Sequence, residues 1–311
     1  MNEVKPVEVI GRVVGAIPSE CRENIVIIGS LAAAYAYFGD NHLMAVRTKD
    51  IDCLIKPFAV AADKAQIISR QLLDAGWQRR MMGPHQDPGT RDTPDDQLPA
   101  IRLYPPDHDP GTGSEWFVEF LTEPGSSSDQ GKKWTRIIID EGHFGLPSFR
   151  FLAITAFLPQ KIEELGIYCA RPVMMALANL LEHPEIKPDR MSTLVAGRAI
   201  KRSNKDLGRV IALGYLESEK NHADLREWGR KWGEALFTCF PDEWKSLAQN
   251  AGSGLNALLQ SDEDLEEAFH TCVYGLLSNT GIQQGEFKEV GQRILGDSVE
   301  KLKEVAEPAA P

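Results

Sequence analysis

An α+β fold is what the sequence predicts: an N-terminal mixed β-sheet domain over residues 1–170 packed with helices, followed by an all-helical region over residues 171–311. Three observations predict it. In the first half, short apolar runs rich in β-branched and aromatic residues alternate with longer segments of helical spacing. From Pro172 onward every apolar segment has helical character, and Pro or Gly separates one from the next. The length of 311 residues exceeds one typical domain and leaves ample material for a buried core.

Taken in order, Val7, Ile10, Val13, Val14 and Ile17 recur at steps of three and four, which predicts an amphipathic helix ending near Pro18. Ile25 to Ile28 reads as a strand, Gly29-Ser30 as a break, and Leu31 to Phe38 as a helix. A loop around Gly39 to Val46 leads to a second strand that carries Asp50 and Asp52. Ala59 to Gly76 reads as a helix with Ile67, Ile68, Leu72 and Leu73 on its buried side. Between Met82 and Gly113 proline, glycine, aspartate and threonine dominate, and only Leu98 to Tyr104 has strand character. His85 and the cluster Asp107-His108-Asp109 fall in this stretch, where flanking Pro and Gly favour a solvated loop over a metal site.

Glu115 to Thr122 is a strand with Glu119 at its centre, Glu123 to Lys133 a polar, serine-rich turn, and Trp134 to Asp140 the return strand of a hairpin. A further short strand is expected within Phe149 to Phe157. The sum is a mixed sheet of about five strands with helices on one side. Beyond it, helices are expected at Pro172 to Glu182, Pro188 to Leu216, Ala223 to Phe240, Leu255 to Leu277 and Phe287 to Val305.

Composition narrows the function classes. Hydrophobic content of 42% and charged content of 25% are those of a globular protein. No run approaches the roughly 20 apolar residues of a membrane helix. The N-terminus also lacks the basic and apolar regions of a signal peptide, so the expected location is cytoplasmic with no membrane partner. Five widely spaced cysteines in mostly apolar contexts read as reduced core residues. A net charge of −11 argues against broad attraction to nucleic acid, which rests on clustered Lys and Arg, but permits a local basic strip. Arg198, Lys201, Arg202, Lys205 and Arg209 would form such a strip along one helix face, to bind phosphates or to pair with neighbouring acids.

The chemistry concentrates between Ile25 and Pro57. Side chains alternate along a strand, so Asp50 and Asp52 point the same way, and two carboxylates side by side call for a positive partner. Mg²⁺ (or Mn²⁺) suits such oxygen donors and commonly shares its shell with substrate phosphates. Gly29-Ser30 at a helix N-terminus would offer backbone N–H groups and a hydroxyl to the same phosphates. Glu119, centred in an apolar strand, is a third acid that packing alone does not explain.

This order of an apolar strand, Gly-Ser, a helix and an acid-hydrophobic-acid strand resembles the nucleotidyltransferase superfamily with the polymerase-beta-like fold. Arg47-Thr48-Lys49-Asp50-Ile51-Asp52 is similar to the version found in abortive-infection type toxins and their relatives. The resemblance runs to about Leu216. It implies Asp50, Asp52 and Glu119 as catalytic metal ligands, with Gly29, Ser30, Arg47 and Lys205 as nucleotide-binding residues. Lys205 lies in Asn204-Lys205-Asp206-Leu207, which resembles the family's Lys-Asp-Leu signature. The implied reaction moves a nucleoside monophosphate from a nucleoside triphosphate to a hydroxyl of RNA, protein or a small molecule. A toxin-like role, with tRNA or protein as acceptor and a cognate partner protein, belongs to the same expectation. Two departures stand out: nineteen residues separate Ser30 from Asp50, and Asn179 occupies the place after Arg171-Pro172 where relatives commonly carry lysine. Both suit the alternative, a catalytically silent protein of the same fold that acts as a nucleotide-binding or interaction module.

Overall fold

A computed structural model describes residues 2–39, 46–48, 50–79, 87–106, 116–126, 132–182, 189–191, 194–195, 197–221 and 224–307. The chain divides into two compact units, Met1–Arg171 and Pro172–Pro311. His85, Asp107 to Asp109, Glu115 and most of the loop before Val46 lie outside the described residues.

The first unit runs β1 (Asn2–Val4), α1 (Pro6–Ala16), α2 (Ser19–Arg22), β2 (Ile25–Ile27), α3 (Gly29–Phe38), β3 (Val46–Thr48), β4 (Asp50–Ile55) and α4 (Phe58–Asp74). It continues with β5 (Gln78–Arg79), β6 (Arg102–Tyr104), β7 (Phe117–Thr122), β8 (Lys132–Ile139), β9 (Gly142–Phe149), α5 (Leu152–Thr155), β10 (Gln160–Ile162) and β11 (Ile167–Cys169). Nine of these strands, not about five, form one mixed sheet in the order β10-β11-β2-β4-β7-β6-β5, with β9 joined to β7 and β8 to β9. β1 and β3 make a separate two-stranded ribbon.

The centre of the sheet is built from the most apolar runs. All of β2 is buried, and Ile51, Cys53, Leu54 and Ile55 of β4 are buried as well, which suits strands covered on both faces. Only Asp50 and Asp52, at the start of β4, escape that burial. α4 buries Ala61, Ala65, Ile68, Ser69 and Leu72, while Ile67 is 41% exposed, contrary to expectation. Small alanines set its buried stripe, and its outer turns serve another purpose. Gln66 accepts from the Ile138 N–H at 2.8 Å and Arg70 donates to the Ile138 carbonyl at 3.0 Å, so α4 satisfies backbone groups of β8.

Two expected pairings are replaced. β8 does not return along β7; it pairs with β9 from Lys132↔Phe149 to Ile139↔Gly142, closed by Asp140 and Glu141. Gly142, at φ +132°, makes that tight reversal accessible, and a local hairpin needs less chain ordering than closure across a long tip. The expected strand within Phe149 to Phe157 is replaced by the short helix α5, held by Thr155 N–H to Phe151 O and Ala156 N–H to Leu152 O. A short apolar run fits either period, and here the helical one wins.

The second unit consists of α6 (Pro172–Glu182), α7 (Arg202–Asn221), α8 (Arg226–Cys239), α9 (Trp244–Asn250), α10 (Ser253–Gln260), α11 (Asp262–Tyr274), α12 (Gln284–Arg293) and α13 (Glu300–Ala306), the last two joined through a π-helical turn at Ile294–Val299. Its core is aromatic, with Trp228, Trp232, Phe240 and Phe287 fully buried, and Trp232 Nε1 donates to the Val173 carbonyl at 2.8 Å. The expected helix Leu255–Leu277 is broken at Ser261. Its hydroxyl caps α11 by accepting from Asp264 N–H, and Asp262, Glu263 and Asp264 complement the helix dipole. Likewise the expected helix from Pro188 begins only at Arg202. Before it, Val195 and Arg198 exchange backbone hydrogen bonds around Gly197, whose φ of +85° suits a reversal. No helix among the described residues is long and apolar enough to cross a membrane. The five cysteines carry no disulfide.

Candidate active site

The site is assembled by strand register. β4 runs parallel to β7, which places Asp52 beside Glu119 and Asp50 beside Phe117. β6 runs antiparallel on the far side of β7 and places Arg102 beside Glu119. Registered neighbours share a face, so Asp52, Glu119 and Arg102 form a row across three strands, with Asp50 one row away. The sheet therefore brings Glu119 to the aspartate pair, from which it lies far in sequence.

Each acid has its own setting. Asp50 is exposed, and the buried Thr48 hydroxyl lies 3.1 Å from its Oδ1 and 3.2 Å from its backbone oxygen, which fixes the start of β4. Asp52 is half-buried, and its carbonyl accepts from Ile28 N–H at 3.0 Å, tying it to the end of β2. Glu119 is 17% exposed and accepts a 2.5 Å hydrogen bond from Arg102 Nε. A charge-assisted contact of this kind is what makes a carboxylate tolerable within a sheet.

Gly29 closes the site from the β2–α3 turn. Its φ is +72°, and a Cβ built there would sit 2.7 Å from Asp52 Oδ2. Glycine is therefore required twice, for the backbone turn and for the approach of the Asp52 carboxylate to a helix start. Ser30 follows in the first turn of α3. Arg47 lies on β3, where its guanidinium pairs with Glu3 of β1 at 3.2 Å. Lys205 is in the second unit, in the first turn of α7.

Electrostatics favour the charged form of Arg102. Burial alone would lower the Arg102 pKa, but Glu119, with Tyr104 and Asp50 contributing, outweighs it and holds the guanidinium above its ordinary value. Arg102 also lies over the Phe117 ring at 5.1 Å. On the buried face of β4, burial and the neighbouring Asp52 charge push the Cys53 thiol far up, which makes it a packing residue.

Asp50 and Asp52 offer the hard oxygen donors that Mg²⁺ or Mn²⁺ prefers. Glu119 is already engaged by Arg102, and among the described residues no group of three or more His, Cys, Asp or Glu is arranged to hold a metal ion. The fit to a divalent cation is thus carried by the aspartate pair.

Compared with protein-family models, with curated proteins and with solved structures, the chain matches none.

Sequence reasoning overlooked Arg102 and Thr48. Arg102 stands in the alternating run Ile101-Arg102-Leu103-Tyr104, a visible strand signal, but its partner depends on which strand lies next to β6. Thr48 sits two residues before Asp50, where a hydroxyl next to an acid is a usable sign of local hydrogen bonding. The expected basic strip is divided between two settings. Arg198 and Lys201 precede α7 and meet α11, with Arg198 2.8 Å from Glu266 and Lys201 2.6 Å from Asp264.

Proposed function

We propose that the chain is a metal-dependent nucleotidyltransferase, with a polymerase-beta-like catalytic unit, that moves a nucleoside monophosphate from a nucleoside triphosphate to a hydroxyl acceptor. The supporting observation is the convergence of Asp50, Asp52 and Glu119 on one sheet face, with the Gly29 turn directly against Asp52. Asp50 and Asp52 would hold Mg²⁺ or Mn²⁺, which when bound neutralises triphosphate oxygens and lowers the pKa of an acceptor hydroxyl. Gly29 and Ser30 would orient the phosphates at the start of α3. Thr48 would keep the Asp50 carboxylate aimed. The acceptor hydroxyl gives its proton to solvent water as its oxygen attacks the α-phosphorus, the bond to the bridging oxygen breaks, and pyrophosphate leaves with that electron pair. An acceptor on tRNA or on a protein, and a toxin-like role with a partner protein, extend this reading.

Calorimetric titration with ATP, GTP, CTP and UTP in Mg²⁺, beside the Asp50→Ala/Asp52→Ala variant, tests it. Micromolar, metal-dependent binding that the double variant loses while staying folded supports the reading; a folded wild-type protein that binds none of the four overturns it. A second reading, nucleotide binding without turnover, is favoured by the engagement of Glu119 with Arg102. Binding with no release of pyrophosphate across RNA and protein acceptors would select it.

A further inference from the structure

The pair formed by Arg102 and Glu119 is lopsided. Only 17% of the Glu119 side chain is exposed, against 51% of Arg102, so the acid is enclosed while the guanidinium reaches the surface. Its contact with the Phe117 ring matters here, because Phe117 is the registered neighbour of Asp50. The guanidinium is therefore held on its acid side by Glu119 and lies over the ring of the residue beside Asp50. Of its five N–H donors the salt bridge to Glu119 uses Nε–H, and a planar fork of this kind suits phosphate oxygens.

A second divalent ion on Glu119 would have to displace this guanidinium or sit beside it against like-charge repulsion. We propose that Arg102 takes the place of a second metal ion: the site holds one divalent cation, on Asp50 and Asp52, and Arg102, positioned by Glu119, supplies the other positive charge to the phosphates. This rests on the nucleotidyl-transfer reading and adds the cation count and a phosphate-binding residue to it. Glu119 becomes a positioning residue for Arg102 and is not a metal ligand.

Mn²⁺ titration of the full chain without nucleotide, with unbound Mn²⁺ read by electron paramagnetic resonance, tests the count. Wild type should bind one equivalent, lost in Asp50→Asn/Asp52→Asn and unchanged in Glu119→Gln. Arg102→Ala should gain a second equivalent as Glu119 is released, Arg102→Lys should stay at one, and Arg102→Ala/Glu119→Gln should return to one. Arg102→Ala should also weaken ATP binding in Mg²⁺ at least about tenfold, the loss of one bidentate phosphate contact. Two equivalents in wild type, or a drop in Glu119→Gln, overturns the proposal while leaving nucleotidyl transfer standing. No Mn²⁺ bound by folded wild type overturns the proposal, and the nucleotide titration in Mg²⁺ then decides the nucleotidyl-transfer reading separately. If Arg102→Ala does not fold, the wild-type and Glu119→Gln counts still decide.

Discussion

Two charged clusters, one in each unit, show how differently acids are used in this chain. In the second unit Glu267 accepts from the Lys201 backbone N–H at 3.1 Å and from Asn204 at 2.9 Å, with Arg190 3.4 Å away. Asp264 beside it accepts from Lys201, Asn204 and the Ser261 N-cap turn. These bonds join α11 to the segment entering α7, and they account for Lys201 and Asn204 without any ligand. In the first unit Asp50, Asp52 and Glu119 are aligned by register on one sheet face, and the arginine that meets Glu119 keeps half its side chain open. The lesson is that partner geometry, not charge density, separates a structural cluster from a candidate site. By sequence the stripe of basic residues could bind phosphates or pair with neighbouring acids, and Arg198 and Lys201 take the second course on α11.

The contrast breaks if acids in both clusters respond alike to removal. Glu267→Ala should give the largest loss of stability, about 2–4 kcal/mol, because it strands the Lys201 N–H and one of the two N–H groups of the buried Asn204 amide. Chemical denaturation of this variant beside Asp50→Ala/Asp52→Ala checks it. The aspartate variant should keep its midpoint and lose nucleotide; the glutamate variant should do the reverse.

Gly29→Ala should act on both properties. A side chain at φ +72° costs about 1–2 kcal/mol, and its Cβ would press on Asp52 Oδ2. Thermal melts should fall by several degrees, and metal-dependent nucleotide binding should drop further than that loss of stability explains.

A smaller effect is expected from pH. Burial would raise the Asp264 pKa, but hydrogen bonds from Lys201, Asn204 and Ser261, with the Lys201 charge, outweigh it and hold it below the usual carboxylate value. The folded pKa is depressed, so its contribution is complete above the unfolded value near about 4 and is lost as pH falls through the folded value. Denaturation midpoints measured from pH 6 to 3 should therefore drop less steeply in Asp264→Asn than in wild type. A parallel decline in the two proteins would refute this.

Thr48→Val should be the mildest change, since it keeps the buried volume and removes only the hydroxyl against Asp50. A few-fold weaker nucleotide affinity at nearly unchanged stability is expected by calorimetry. An unchanged affinity would show that β4 alone aims Asp50.

Much of the framework was legible because it is local. The helix over Val7 to Ile17, the strand-turn-helix from Ile25 to Phe38 and the strand holding Asp50 and Asp52 follow from side-chain period, β-branching and the glycine break, all of which act within a few residues. The second-unit helices were visible, but their ends were not: Ser261 reads as interior until its hydroxyl is seen to cap α11, and Gly197 until its backbone is seen to turn. β10 and β11 went unread, since three-residue strands carry almost no periodic signal.

The sequence by itself determined which residues carry charge into apolar strands: Asp50, Asp52 and Glu119 stand out because an ionised group in such a run requires a partner. It also determined that Gly29 lies where a strand becomes a helix. Only the tertiary structure decided that β7 lies between β4 and β6, and hence that Arg102 meets Glu119 and that β8 folds back on β9. Strand pairing joins residues dozens of positions apart, and its energy depends on shared register and burial, which no short window of sequence contains.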